Sequence, residues 1–238
     1  MAHTSGIIKH RWDLKPSEAM QLQQSLRDKV LIQPFGRPIR YIGGADISYN
    51  KGSAELYAGI VVLDYESQQI LAWSTIVQES PFPYIPSLLS FRELPPLMQA
   101  WEKLPLIPDV MMTDSQGIAH PRRMGEACHF GLLTGIASIG CAKKNLVGTY
   151  EEPPKERGAY RPIQHQEEVV GYALCTKDGI KPVFISPGYA IDLEESRDIA
   201  LYCARGYKIP EPTRQAHLLV NRLRRGEIEP GVWQRGED

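Results

Sequence analysis

Apolar positions recur at two spacings along the chain, and their alternation lays out its elements. Residues 17–32 carry Met20, Leu22, Leu26, Val30 and Leu31, a helical spacing after a Pro-Ser start. Three β-rich stretches follow at 40–50, 56–64 and 69–77. Their connections, Lys51-Gly52-Ser53 and Tyr65-Glu66-Ser67-Gln68, have hairpin length, so an antiparallel meander is expected. A Pro-rich loop at 79–89 leads to an expected helix at 95–104. The pattern then gives a strand at 109–114, a loop at 115–123, a helix at 123–134 and a strand at 136–142. Two more strands, at 169–176 and 181–186, precede helices at 192–204 and 212–225.

Three antiparallel strands followed by a β–loop–α–β run predict a parallel pair joined to the meander. This layout resembles a ribonuclease H-like core: an α/β architecture with a mixed sheet, three antiparallel then parallel strands, flanked by helices. The whole of residues 1–238 suits one domain, with flexible tails expected at 1–12 and 226–238.

Composition narrows the classes. The chain has 42% apolar and 23% charged residues and a net charge of −1, so a nucleic-acid partner would need local basic patches rather than a global field. Cys128, Cys141, Cys175 and Cys203 lie far apart and form neither a zinc motif nor a disulfide framework, which fits a reducing compartment. No apolar run reaches the roughly 18 residues of a membrane span. The start of the chain lacks the apolar core of a secretory signal, so a cytoplasmic location is expected. Motifs of P-loop ATPases, serine hydrolases and zinc proteases are absent.

The stretch Arg40–Asn50 holds the first candidate chemistry. Gly43, Gly44 and Ala45 sit between β-formers, directly before Asp46. Such a small centre marks close approach of another backbone or tight packing. An acid in mid-strand needs a partner or a metal, unless it lies at an exposed edge. Asp114 ends a strand, where α/β sites assemble, although an Asx-turn would also place an Asp there. Ser90-Phe91-Arg92-Glu93 matches a capping box. Pro95 and Pro96 disfavour a helix over that stretch and leave Glu93 ahead of one that starts at Pro95. His217 flanks the apolar stripe of Ala216, Leu219, Val220 and Leu223, as a packed or surface histidine also would. Arg205, Lys208, Arg214, Arg222, Arg224 and Arg225 could bind phosphates or form a solvated face. In Pro83-Tyr84-Ile85-Pro86 two prolines stiffen an apolar tip, which reads as a wedge between bases or an ordinary connection.

In combination these stretches resemble the endonuclease V family, the deoxyinosine-specific repair nucleases. The matching pieces are Gly43-Gly44-Ala45-Asp46, Pro83-Tyr84-Ile85-Pro86, Ser90-Phe91-Arg92-Glu93 and His120-Pro121-Arg122. Ile139-Gly140-Cys141-Ala142-Lys143-Lys144 and Pro210-Glu211-Pro212-Thr213-Arg214 complete them, in family order. The resemblance implies a ribonuclease H-like fold and a Mg²⁺-dependent endonuclease, with Mn²⁺ as a substitute ion. It implies cleavage at the second phosphodiester bond 3′ to the lesion, leaving a 3′-hydroxyl and a 5′-phosphate. It assigns Asp46 and Asp114 to the metal, and makes Asp46, Glu93, Asp114 and His217 the catalytic set. Tyr84 and Ile85 become the wedge, and Gly117, His120, Arg122 and Lys143 substrate contacts. The implied partner is DNA containing deoxyinosine, with inosine-containing RNA left open, and the implied form is a monomer.

One loop departs from the family pattern Asp-Gly-x-Gly. Here it reads Asp114-Ser115-Gln116-Gly117, and it lies near the lesion pocket in the family. Two other classes remain open from sequence: a different nuclease or transposase on this fold, and a silent protein that only binds altered nucleic acid.

Overall fold

The computed structural model describes residues 6–236. In chain order the elements are α1 (Pro16–Leu26), a 3₁₀ turn (Arg27–Lys29), β1 (Tyr41–Tyr49), β2 (Glu55–Asp64), β3 (Ile70–Glu79) and α2 (Leu89–Lys103). Then come β4 (Val110–Thr113), α3 (Glu126–Thr134), β5 (Ala137–Ala142), β6 (Tyr160–His165), β7 (Glu168–Leu174), β8 (Val183–Tyr189), α4 (Leu193–Cys203), α5 (Glu211–Arg224) and β9 (Val232–Gln234).

Among the described residues the strands form one nine-stranded sheet in the order β6-β7-β8-β5-β4-β1-β2-β3-β9. The expected meander is present, since β1–β2 and β2–β3 pair antiparallel. The expected parallel pair is present too, as β4 lies parallel to both β1 and β5. β1 is therefore central, with β4 on one side and β2 on the other.

Alternation along the strands sends side chains to two helical layers. Ile42, Val61 and Met112 pack with Ala216 and Leu219 of α5 and Ile199 of α4. Ala45, Ile60 and Met111 pack instead with Leu94, Leu97 and Trp101 of α2 and Phe130 of α3. No helix among the described residues is long and apolar enough to cross a membrane.

The structure corrects several sequence expectations. α2 begins at Leu89, so Pro95 and Pro96 lie inside it and Glu93 is in the helix, not ahead of it. Each proline removes a ladder donor, but Phe91, Leu94, Leu97 and Trp101 are buried, and that packing outweighs the lost bonds. α1 is shorter than 17–32 and ends in the 3₁₀ turn. Each expected tail makes contacts within its described part. Ile8 is buried and Ile7 N donates to Leu132 O at 2.8 Å, while β9 pairs with β3. Residues 1–5 and 237–238 lie outside the described part.

Candidate active site

Gly44 sets the position of α5. A Cβ at Gly44 would stand 1.9 Å from the carbonyl oxygen of Pro212, a distance no side chain tolerates. The small centre of β1 thus admits the first turn of α5 against the strand, as the close-approach reading required. Gly44, Asp46 and Ser48 point the same way from β1. One helical turn beyond Pro212, His217 meets Asp46, with Nδ1 donating to Asp46 Oδ2 at 2.8 Å. Ser48 Oγ donates to Asn221 Oδ1 at 3.2 Å, and the Asn221 amide nitrogen lies 3.2 Å from His217 Nε2.

The β1–β4 register brings the second acid alongside. Ala45 pairs with Thr113 and Asp114 N donates to Ala45 O at 3.3 Å, so the next step sets Asp114 beside Asp46. One ligand atom from each of Asp46, Asp114 and His217 fits within a 4.8 Å cluster. Lys143, directly after β5, is ion-paired with Asp114. Burial raises the pKa of Asp114 and the Asp46 charge adds to it, while Lys143 opposes the rise. The hydrogen bond to Asp46 raises the pKa of His217, and Asp46 Oδ1 is held by Ile47 N at 2.8 Å.

Two carboxylates and an imidazole within this span suit a small divalent cation, since hard oxygen donors dominate the set. Asp46 and Asp114 repel one another unless a cation or a proton intervenes.

Glu93 of α2 brings a third carboxyl to this corner, and with it an unexpected fourth. Glu126, the first residue of α3, meets Glu93 in a hydrogen bond, which requires a proton on one of them. Among the described residues no protein donor reaches Glu126 Oε2. Burial pushes Glu93 up to about 7 and raises Glu126 well above the usual carboxyl range, with the Glu93 charge adding to the rise. The sequence reading had no motif for Glu126. The available signal was an acid at the head of a helix whose other residues are almost all buried.

A cavity of about 630 Å³ adjoins the cluster and shares Glu93, Asp114 and Glu126 with it; Tyr84, Ser90 and Gln116 line it as well. Tyr84 stands 56% exposed at the tip of the loop between β3 and α2, free to meet a partner. Ile85 is half-buried and packs on the cluster of Phe82, Leu88 and Phe91, so it anchors the loop as much as it extends it. Arg92 Nη1 ties the same loop through Phe82 O at 2.7 Å.

Three expected substrate contacts are hydrogen-bonded within the chain, His120 while also lining the cavity. Gly117 is buried, with its N–H on Ser186 Oγ at 2.8 Å, and a Cβ there would lie 2.0 Å from Pro187 O. It lets the loop pass under β8. His120 Nε2 donates to Ser87 O at 3.0 Å and Nδ1 accepts from Arg122 N at 3.2 Å. Burial, aided by Arg122, lowers its pKa to about 4, so it is a neutral brace. Arg122 donates from Nε to Gln23 Oε1 at 2.6 Å and from Nη2 to Ser87 O at 2.8 Å. Lys143 alone of the four lies at the cluster with its ammonium partly exposed.

The basic stretch 203–225 is largely occupied with its own chain. Arg214 binds Glu211 through Nε and Nη2 at 2.9 and 2.8 Å and covers the Tyr207 ring at 4.1 Å. Arg224 donates to Asn50 and Asn221, and Arg225 to Glu227.

Comparison with known proteins places this geometry among relatives. The family model described as Endonuclease V matches residues 21–218. Endonuclease V of Myxococcus xanthus is 50% identical over 220 residues, covering 92% of this chain and 94% of that protein. The crystal structure of endonuclease V from Streptomyces avermitilis superposes with a TM-score of 0.86 at 38% identity, over 94% of this chain and 99% of the other. Endonuclease V of Ciona intestinalis, in complex with a 23-mer DNA containing an inosine followed by a ribo-adenosine, gives a TM-score of 0.80 at 28% identity. It covers 89% of this chain and 98% of that one. The fold is accordingly the ribonuclease H-like one that the strand order had predicted.

Proposed function

The chain belongs to the endonuclease V family and is a metal-dependent endonuclease, and from that premise we propose that it cuts strands carrying a deaminated purine, deoxyinosine in DNA above all. The ion is Mg²⁺, replaceable by Mn²⁺, and the cut falls at the second phosphodiester bond 3′ to the lesion, leaving a 3′-hydroxyl and a 5′-phosphate. Inosine in RNA is the second substrate tested below. The observation that carries this reading is the Asp46–Asp114–His217 cluster set against a cavity roomy enough for a base under an exposed tyrosine. The proposed acting form is a monomer. The four free, buried cysteines support a reducing, cytoplasmic setting.

Asp46 and Asp114 would hold the ion, with Glu93 close by. When bound, Mg²⁺ supplies Lewis acidity to the scissile phosphate and to a water beside it. His217 keeps Nδ1–H on Asp46 and takes a proton from the attacking water at Nε2. The Lys143 ammonium, already on Asp114, turns to the phosphate and offsets the charge that builds on its oxygens. Tyr84 fills the gap left when the altered base leaves the stack, and the base enters the cavity. Inosine pairs weakly, so extrusion costs it less than a normal base.

The test is incubation with matched inosine-containing and unmodified DNA and RNA strands, with Mg²⁺ or with chelator, and mapping of the cut. Metal-dependent cleavage confined to inosine strands, directly on the 3′ side of the nucleotide that follows the lesion, is expected. Equal cleavage of unmodified strands, or cleavage undiminished by chelator, would overturn the reading.

A further inference from the structure

A buried histidine outside the catalytic set ties α3 to α2. His129 of α3 is fully buried, and its ring meets Phe91 of α2 edge-on, with centroids 5.2 Å apart. His129 Nδ1 lies 3.1 Å from Ser90 Oγ, and its Nε2 lies 2.7 Å from Nε2 of His10. His10 belongs to the segment ahead of α1, which is fastened on both sides of it. Ile7 N and Ile8 N donate to Leu132 O at 2.8 and 3.3 Å, and Arg11 Nη2 donates to Glu18 Oε1 of α1 at 2.8 Å.

One contact fixes every proton along this line. His10 Nδ1 lies 2.7 Å from Arg11 O, and a carbonyl only accepts, so Nδ1 carries the His10 proton. Burial lowers the pKa of both rings, so each is neutral at pH 7 and holds one proton. His10 Nε2 is then a bare acceptor, and His129 Nε2 donates to it. His129 Nδ1 keeps its lone pair and accepts the Ser90 hydroxyl. Without His10, either tautomer of His129 would leave one nitrogen of a buried ring unpaired, at the cost of a lost hydrogen bond.

The Ser90–His129 bond lies one helical turn from the acids. Ser90 and Glu93 are three residues apart on α2, as Glu126 and His129 are on α3, so each pair shares a helix face. Two polar contacts therefore join these faces, Ser90–His129 and Glu93–Glu126. The second holds only while the carboxyls share a proton, whereas the first is indifferent to what binds at the acids. The charges of Asp46 and Asp114 act on Glu93, so where α2 sits against α3 decides how Glu93 meets the cluster.

Resting on the function proposed above, we infer that His10 is a positioning residue for the metal site: by accepting the His129 proton it fixes the α2–α3 contact that sets Glu93 beside Asp46 and Asp114. Partners behind a metal site orient its side chains, and losing one weakens the ion's hold. The segment before α1 thus belongs to the frame of the active site.

The test compares the full chain with His10→Phe, His10→Gln and Ser90→Ala. Phe keeps a ring against Trp12, which meets the His10 ring at 4.4 Å, and removes the acceptor. Gln offers an amide oxygen in place of Nε2. In chelator, ¹⁵N NMR of the natural protein should place the His129 proton on Nε2 and the His10 proton on Nδ1. Mn²⁺ binding, read by calorimetry without substrate, should weaken about two- to tenfold in His10→Phe and in Ser90→Ala, the scale of one hydrogen bond. The double variant should be no weaker than either single one, since both cut the same line. His10→Gln should bind Mn²⁺ as the natural protein does. A His129 proton on Nδ1 in the natural protein overturns the inference. So does a His10→Phe that binds Mn²⁺ undiminished, whatever its melting temperature, or a folded His10→Gln as weak as His10→Phe. Should His10→Phe fail to fold, Ser90→Ala decides in its place. A natural protein that binds Mn²⁺ but cuts no inosine strand sinks the function proposed above and leaves the calorimetry to judge His10; one that binds no Mn²⁺ sinks both.

Discussion

His217 reaches Asp46 at 2.8 Å from a helix that lies on the strand only because Gly44 has no side chain. Backbone contact in the first turn of α5 and hydrogen bonding in the second are one arrangement. Gly44→Ala would drive a methyl into Pro212 O and displace α5 at its head. A loss of about 1–3 kcal/mol in stability, the usual cost of overpacking, is expected, and cleavage should fall further than stability explains. Unfolding curves and turnover of the surviving folded fraction check both parts; full turnover by a folded variant would show that α5 has room to move.

Asp46→Asn removes a charge proposed to hold the metal and, with it, the anionic acceptor of the His217 proton. Metal-dependent cleavage should be lost while inosine-strand binding persists. The His217 pKa, raised in the natural protein by this bond, should drop toward its ordinary value. An NMR titration of the imidazole in chelator reads that drop directly, and an unshifted titration would separate His217 from Asp46.

The Glu93–Glu126 pair predicts how the metal-free protein responds to pH. Both folded-state pKa values lie above the free carboxyl value, Glu93 at about 7 against 4.5. A group raised on folding contributes stability that is fully present below the unfolded pKa and lost as pH rises through the folded one. Melting temperature in chelator should therefore fall between about pH 4.5 and 7. Glu126→Leu should flatten that fall, and divalent metal should oppose it. A melting temperature that is level over this range would mean that the two carboxyls do not share a proton.

Tyr84→Ala should weaken binding to inosine strands by about 1–3 kcal/mol, the scale of one base–aromatic stack. Since the side chain is 56% exposed, the melting temperature should hardly move. A marked drop in melting with unchanged affinity would instead assign Tyr84 to the core.

What could be read from sequence was what depends on short-range pattern. The meander, the parallel pair and the Asp46–Asp114 partnership follow from strand spacing and from acids placed in or after strands. The start of α2 was not legible, because Pro95 and Pro96 speak against a helix locally and only the packing of Phe91, Leu94 and Trp101 restores it. Glu126 was missed for a related reason. An acid in the first turn of a helix is ordinary dipole chemistry, and nothing local shows that Glu93, from another helix, will face it. β6 and β9 are short or exposed strands whose pairing, not composition, defines them. The close approach expected at Gly43 to Ala45 was right in kind, but the chain that approaches, at Pro212, lies far along the sequence.

Ser87 O accepts from three side chains at once: Gln23 Nε2 at 3.1 Å, His120 Nε2 at 3.0 Å and Arg122 Nη2 at 2.8 Å. These donors come from α1 and from the loop after β4, while Ser87 belongs to the loop that carries Tyr84. Finger and socket are thus riveted together, three residues from the tip. On the function proposed above, finger and socket would meet a strand as one body, so that a change in either loop is felt by the other.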